Sequence, residues 1–284
     1  MRLIIGLFLT MVLFFSGCAE KEEDMPPSNL HAGEKSMTYN YTLRGESGAV
    51  EYTVYRGLYE YLGNISRFVY CRPQCPTNDS IQQKYLDEKY SEAELFGFLD
   101  AVKKKGRNRE DQAMIAVNLV QNIPYDDAAY EAGKSKDRYP YQVLYDGEAV
   151  CGEKVRLLSY LLRGLGYDTS MLYYSKEKHA ALGIKCPEKY SHKNTGYCFI
   201  ETTTVAIPTY DTGDYPGMGR ITSAPVVLNL SSGDSYDNIA GEWEDAREWQ
   251  RIEELISRNN RVLKQEDYDR WKELKDKYGI HTGT

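Results

Sequence analysis

Residues 146–168 read DGEAVCGEKVRLLSYLLRGLGYD, and this stretch decides the fold. A thiol, Cys151, stands at the predicted first turn of a helix. Apolar side chains recur behind it at helical spacing, namely Val155, Leu158, Leu161, Leu162 and Leu165. Gly164 and Gly166 can end the helix, because glycine commonly closes a helix C-terminus. The stretch therefore predicts a helix that begins near Cys151 and packs one broad face on a core.

After Gly166 the periodicity changes from helical to alternating, which indicates strands. Three such runs follow, YDTSMLYYS (167–175), HAALGIKC (179–186) and YCFIETTTVAI (197–207). One helix followed by three strands predicts an α+β fold in which an antiparallel sheet packs behind the helix.

The surrounding core is predicted to cover residues 91–240. Ser91 is a candidate N-cap for a helix over 92–106, and a second helix is predicted over 109–123. A long irregular stretch, 124–149, then leads to Cys151. Loops of that length in a compact domain are often functional.

Two further segments flank this core. Residues 37–90 are predicted to form a Tyr-rich β segment, since 37–45 (MTYNYTLRG) and 49–62 (AVEYTVYRGLYEYL) alternate with period two. Residues 241–284 are highly charged, with apolar side chains at helical spacing. We expect helices there that pack on the core and present a charged outer face.

The N-terminus predicts export and attachment to the cell membrane. Residues 1–17 carry one Arg and an apolar run that is short for a membrane span, which is typical of a signal peptide. The run ends before Cys18 in a pattern that resembles a lipobox, so Cys18 is the predicted lipidation site. An uncleaved N-terminal anchor is the alternative, and both place the chain outside the cytoplasm. Residues 18–36 are polar and are predicted to be a disordered tether.

Composition excludes some functions. The chain has 284 residues and a net charge of -7, and no cluster of Lys and Arg is interleaved with aromatic residues. Nucleic acid is therefore not an expected partner. The sequence has no G-x-G-x-x-G, no P-loop and no His/carboxylate cluster, so no cofactor and no metal is predicted.

The chain has six cysteines, at positions 18, 71, 75, 151, 186 and 198. Outside the cytoplasm disulfides persist. The most local pairing joins Cys71 with Cys75 and Cys186 with Cys198, which leaves Cys151 free. A zinc site is the alternative for Cys71 and Cys75, but it would need a second pair of ligands, and none lies nearby in the sequence.

A free thiol at a helix N-terminus suits nucleophilic catalysis. The unpaired N–H groups there lower the pKa of the thiol and can also bind an oxyanion. Cys151 would need a base, and His179 opens a strand soon after its helix. Glu201 on the next strand can orient the imidazole. The alternatives are a buried inert Cys151, a solvated His179 and an outward-facing Glu201.

Strand parity supports the pairing of His179 with Glu201. If Cys186 and Cys198 share one face of the sheet, His179 and Glu201 share the other. The register is ambiguous, because placing Cys186 opposite Cys198 puts His179 opposite Val205. We expect the other register, with His179 opposite Glu201 and Cys186 in an irregular loop, although a bulge could reconcile the two.

These motifs resemble the transglutaminase-like superfamily, whose active sites follow papain-like logic. The resemblance runs over about 116–204 and includes IPYD, YPYQVLYDGEAVCGEKVRLLSYLLRGLGYD, HAALGI and YCFIETT. The chain especially resembles secreted archaeal and bacterial members of the superfamily that have an ETT segment. The resemblance implies that Cys151 is the nucleophile, His179 the base and Glu201 the residue that replaces the usual Asp. It also implies that Tyr125 helps to stabilise the oxyanion, together with the backbone N–H of Cys151.

The expected function is that of an extracytoplasmic amide or peptide hydrolase, or an acyltransferase, that acts through a thioester on Cys151. Its partner would be a protein or peptide substrate. The chain differs from the family's pattern in having Val150 before the thiol and no aromatic residue soon after the histidine. Two alternatives remain open: a catalytically degenerate relative that binds peptide or cell-envelope polymer, and a structural surface lipoprotein.

Overall fold

The fold is mixed α+β, as the sequence predicts at this coarse level, and its sheets are antiparallel. The computed structural model describes residues 29–69, 71, 73–133, 136–215 and 219–281. One large hydrophobic cluster draws on the N-terminal hairpin, several helices and the main sheet. The predicted signal segment 1–17 and Cys18 lie outside the described residues. Within the part that is described, no helix has the length and apolarity needed to cross a membrane.

The N-terminal segment begins with a hairpin of β1 (Glu34–Leu43) and β2 (Glu46–Tyr55). Its turn residues Arg44 and Gly45 both have positive φ, which is the geometry that matches the twist of a two-residue hairpin. The strand prediction is confirmed as far as Tyr55.

The strand prediction is wrong after Tyr55, where α1 (Arg56–Asn64) replaces the expected strand. Leu58 and Leu62 are both buried, and their four-residue spacing is that of one helix face. The neighbouring tyrosines alternate in sequence, but the burial of the two leucines determines the structure.

The predicted tether 18–36 is ordered over its last part, which corrects the expectation of disorder there. Strand β1 already begins at Glu34, and Leu30 packs against the main core. Nε2 of His31 lies 2.9 Å from Oε1 of Glu94. These contacts order the end of the segment, although its polar composition predicted disorder.

The helices before the site are α2 (Asn78–Leu86), α3 (Glu92–Lys103) and α4 (Arg109–Asn122). The last two confirm the predicted helices. Ser91 precedes α3 as expected, but its hydroxyl does not cap the helix. It donates instead to the backbone carbonyl of Glu88 at 3.2 Å.

The stretch 124–149 is less irregular than the sequence suggested. It contains α5 (Asp127–Glu131) and α6 (Pro140–Asp146). Proline at the first position of α6 and Gly147 in a left-handed conformation after its end are typical helix boundaries. The mixture of apolar and charged residues in this stretch obscured both short helices.

Helix α7 (Cys151–Gly164) confirms the predicted helix that begins at the thiol. The strands after it are β3 (Thr169–Tyr174), β4 (His179–Lys185), β5 (Tyr197–Ile200), β6 (Asp214–Tyr215), β7 (Gly219–Arg220) and β8 (Val226–Asn229). The main sheet has the order β5-β4-β3-β8, so the three predicted strands are joined by a fourth. Helix α7 packs against β3 and β4, which brings its N-terminus to the start of β4.

The register of β4 and β5 differs from both registers considered from the sequence. Ile184 is opposite Cys198, so the ladder lies midway between them. Cys186 is therefore not opposite Cys198, and His179 is not opposite Glu201. Both pairs still meet, since the two cysteines form a disulfide and Nε2 of His179 lies 3.0 Å from Oε2 of Glu201.

The C-terminal residues form α8 (Ala240–Arg258) and α9 (Gln265–Tyr278), as predicted for 241–284. Together with residues before β6 they enclose a second cluster of buried side chains: Ile207, Tyr210, Ala246, Trp249, Ile252 and Leu274. Helix α9 also contacts the hairpin, since the N–H of Gly45 donates to the carbonyl of Lys277 at 3.0 Å.

Candidate active site

Cys151 is the first residue of α7, where the backbone N–H groups have no intrahelical partner. It is partly buried, and among the described residues it is the one free cysteine. The positive end of the helix favours a thiolate at this position. A Cβ placed on the neighbouring Gly152 would meet nothing within 4 Å, so the surface beside the thiol is open to an incoming group.

The thiol of Cys151 faces the imidazole of His179, the first residue of β4. Burial would raise the pKa of Cys151, but the hydrogen bond and charge of His179, with the N–H of Ala180, hold that pKa below its usual value. Burial would lower the pKa of His179, but Glu201 and Cys151 raise it to about 10. These opposite shifts favour a thiolate–imidazolium pair.

His179 is also bound to Glu201, since its Nε2 lies 3.0 Å from Oε2 of the carboxylate. Both side chains are buried. Because Nε2 faces Glu201, Nδ1 is the nitrogen that remains for Cys151. The carboxylate therefore determines which nitrogen exchanges a proton with the thiol.

The other carboxylate oxygen of Glu201, Oε1, accepts three hydrogen bonds. The N–H groups of Thr202 and Thr203 donate at 2.9 and 2.8 Å, and the Thr203 hydroxyl donates at 2.7 Å. Burial would raise the pKa of Glu201, but the charge and hydrogen bond of His179 and the donors of Thr203 lower it. The ETT run thus keeps the carboxylate ionised and directed at His179, a role that the sequence did not reveal.

Tyr125 lies beside the nucleophile because its backbone bridges to Ala149, shortly before the helix begins. Its hydroxyl faces the thiol and the backbone N–H of Cys151. Burial and the charge of Cys151 raise the pKa of Tyr125, so the hydroxyl keeps its proton. The phenol and the N–H therefore meet next to the sulfur, where an oxyanion would form.

His192 does not belong to this site. Its Nε2 lies 2.8 Å from the Tyr174 hydroxyl and its Nδ1 lies 2.8 Å from Oδ2 of Asp211. Both ring nitrogens are therefore occupied. The histidine at the thiol is His179, as predicted from its place on a strand.

The structure contains two disulfides, Cys71–Cys75 and Cys186–Cys198, and both are the predicted local pairs. The first disulfide rules out the zinc alternative for Cys71 and Cys75. Among the described residues, no group of three or more His, Cys, Asp or Glu side chains could hold a metal ion.

A buried arginine next to the site was missed in the sequence. Arg138 is 2% exposed, and its guanidinium donates to Asp126 at 2.7 Å, to Asp146 at 2.6 Å and to Glu153 at 2.8 Å. Asp126 follows the candidate oxyanion tyrosine, and Glu153 lies in the first turn of α7 with Cys151. Arg138 therefore fixes the stretch before the helix to the helix N-terminus.

A buried lysine was also missed. Lys154 lies nearly one helical turn after Cys151, and its Nζ donates to the carbonyls of Gln121 at 3.3 Å and Ile123 at 2.5 Å. The side chain of Gln121 donates in turn to the backbone carbonyl of Glu201 at 2.9 Å. The end of α4 is thus connected both to α7 and to the segment that carries the carboxylate.

Comparisons of the chain with protein-family models, with curated proteins and with solved structures found no significant match in any of the three. What the chain does must therefore be inferred from its own residues. These are a thiol at a helix N-terminus, a buried imidazole that faces it, and a buried carboxylate that is hydrogen-bonded to the imidazole.

Proposed function

We propose that the chain is a thiol-dependent amide or peptide hydrolase, or acyltransferase, of the transglutaminase-like type. The observation that carries this proposal is the series Cys151–His179–Glu201, in which the imidazole faces the thiol and its Nε2 is 3.0 Å from the carboxylate. A nucleophile at a helix N-terminus that packs against an antiparallel sheet also supports a papain-like or transglutaminase-like core.

In the first half of the reaction, the Cys151 thiolate attacks the carbonyl carbon of an amide, and the π electrons move to the oxygen. The oxyanion accepts hydrogen bonds from the N–H of Cys151 and the hydroxyl of Tyr125. The imidazolium of His179 gives its Nδ1 proton to the leaving nitrogen as the C–N bond breaks. An amine leaves and a thioester remains on Cys151.

In the second half, Nδ1 of His179 takes a proton from water, and the resulting hydroxide attacks the thioester. The C–S bond breaks, a carboxylic acid leaves, and the thiolate–imidazolium pair is restored. A primary amine in place of water would form a new amide instead. Glu201 keeps the ring oriented and stabilises its positive charge throughout.

The first test is the pH dependence of Cys151 alkylation, followed by mass spectrometry of the peptide that contains Cys151. We expect rapid labelling of the wild-type protein at mildly acidic pH, because the paired thiol is already ionised. In His179→Ala the labelling rate near pH 6 should fall by about a hundredfold. His192→Ala is a matched control, since this buried histidine binds Asp211 rather than the thiol.

A wild-type labelling profile that matches an ordinary thiol, and that His179→Ala leaves unchanged, would contradict the proposal. It would favour a binding protein with a degenerate site. If the thiol is reactive, peptides offered with and without a primary amine distinguish hydrolysis from acyl transfer. We expect hydrolysis, because water is the default acceptor for a thioester.

We also propose that the protein is exported and anchored to the cell membrane by lipid on Cys18, facing outside the cytoplasm. This rests on residues 1–18 of the sequence, which resemble a signal peptide with a lipobox. Labelling with a fatty-acid analogue tests it, because the wild-type chain should incorporate lipid and Cys18→Ala should not. Equal incorporation by the two proteins would contradict the assignment.

A further inference from the structure

Lys154 is a fully buried lysine whose place in the site the reaction above does not explain. Lysine is rarely buried without a partner, because desolvation of its charge is unfavourable. On α7 it lies three residues after Cys151, so both side chains share one face of the helix.

The partners of Lys154 suit an ammonium group. Its Nζ donates to the carbonyls of Gln121 and Ile123, which lie at the C-terminal end of α4. The C-terminus of a helix carries partial negative charge and favours a cation. Two titratable groups also interact with Lys154, Cys151 from its own helix and Glu201 from the segment after β5.

The three ionised groups Cys151, His179 and Glu201 do not balance in charge among themselves. A thiolate on Cys151, an imidazolium on His179 and a carboxylate on Glu201 sum to one negative charge in buried surroundings. An uncompensated buried charge disfavours ionisation of the group that carries it. An ammonium on Lys154 brings the sum to zero.

We propose that Lys154 is a positioning residue whose ammonium charge compensates Glu201 and thereby favours the Cys151 thiolate. This rests on the proposed function, since it assigns a role within the same thiol–imidazole–carboxylate site. Burial lowers the pKa of Lys154, and the charges of Glu201 and Cys151 raise it. The net result is a pKa of about 7. The amine is therefore charged at acidic pH.

The test compares the pH midpoint of Cys151 alkylation in Lys154→Met and Lys154→Gln. Met keeps the length of the side chain without donors or charge, and Gln keeps a donor without charge. We expect both substitutions to raise the midpoint by about one pH unit. Lys185→Met is the control, because the Lys185 side chain is 50% exposed beside Asp168 and should leave the midpoint in place.

The midpoints separate a charge effect from a structural one. If Lys154 acted only through packing, its loss would slow labelling at every pH without moving the midpoint, and that result would overturn the proposal. Restoration of the wild-type midpoint by Gln would overturn it as well. Failure of the proposed function is distinguishable, because the wild-type midpoint would then already equal that of an ordinary cysteine.

A measurement on the wild-type protein covers the case in which neither Lys154 variant folds. The 13Cε resonance of Lys154 reports whether its amine is charged. We expect an ammonium at every pH across the alkylation midpoint. A neutral amine at the midpoint would overturn the proposal.

Discussion

Nε2 of His179 and Oε2 of Glu201 lie 3.0 Å apart beyond one end of the β4–β5 ladder, which pairs residues 182–185 with residues 197–200. The Cys186–Cys198 disulfide joins the chain at the other end of the same ladder. The two strands are therefore joined by a covalent bond at one end and by the imidazole–carboxylate pair at the other. Alignment of the ladder and alignment of the candidate site are the same structural condition.

The hydroxyl of Thr203 should contribute to stability through Glu201. Thr203→Val removes its 2.7 Å hydrogen bond to Oε1 and preserves the shape of the side chain. Hydrogen bonds to charged groups contribute about 1.5–3 kcal/mol, so we expect the free energy of unfolding to fall by about 2 kcal/mol in denaturant titration.

Thr202 offers the matched control. Its hydroxyl is buried and has no hydrogen-bond partner among the described residues. Thr202→Val should therefore leave the free energy of unfolding unchanged or raise it. Equal losses in the two valine variants would contradict the role assigned to the Thr203 hydroxyl.

The phenol of Tyr125 should matter more for turnover than for the reactivity of the thiol. Tyr125→Phe removes one oxyanion donor, so we expect hydrolysis of a p-nitrophenyl ester to slow by about a hundredfold. Alkylation of Cys151 forms no oxyanion, so its rate should change much less than the rate of turnover. Tyr130→Phe is the control, because it removes a hydroxyl from a neighbouring tyrosine whose ring centroid lies 5.9 Å from that of Tyr125. A similar loss of turnover in both variants would argue against an oxyanion role.

The stabilising contribution of the His179–Glu201 pair should decrease both at high pH and at low pH. The raised pKa of His179 means that its contribution is full below the ordinary value of 6.5 and is lost as pH rises toward about 10. The lowered pKa of Glu201 means that its contribution is full above the ordinary value of 4.5 and is lost as pH falls. Both contributions are therefore full between pH 4.5 and pH 6.5.

The check is the difference in free energy of unfolding between the wild-type protein and the double variant His179→Phe, Glu201→Gln, measured across pH. We expect this difference to be largest at mildly acidic pH and to decline in both directions. A difference that stays constant with pH would show that the pair does not change its ionisation on folding.

The two disulfides should differ in their effects on the site. Cys186–Cys198 closes a loop with a sequence separation of 12, and Cys71–Cys75 closes one with a separation of 4. Loop entropy predicts losses of about 3 and about 2 kcal/mol respectively when each pair is replaced by alanines. Only the first replacement should slow alkylation of Cys151, because only that disulfide aligns the strands of His179 and Glu201. Slowing by both replacements, to the same extent, would contradict this link.

The thiol helix and its strands could be predicted because their signals are local. The apolar stripe behind Cys151 has helical spacing, and the runs from His179 and Tyr197 have strand composition. Parity alone placed His179 and Glu201 on one face. The actual register of β4 against β5 could not be derived, because it depends on side-chain length and strand twist rather than on the sequence pattern.

The buried charges lay beyond sequence reasoning for another reason. Arg138 and Lys154 resemble solvent-facing residues in any periodicity argument, because charged side chains are usually exposed. Each is buried here with partners that only the tertiary fold brings together, four carboxylates for Arg138 and two carbonyls at the end of α4 for Lys154. Only tertiary packing creates these environments.

Cys151 keeps a free, acidified thiol in a chain whose other described cysteines are oxidised. A thiolate attacks disulfides through mixed-disulfide intermediates, so during oxidative folding Cys151 competes for the other sulfurs. Cysteines close in sequence meet far more often than distant ones, since short loops lose less entropy on closing. The short-range pairing of both disulfides therefore protects the Cys151 thiol from consumption by disulfide scrambling. A chain with the same thiol and long-range disulfides would lose more of that thiol to exchange.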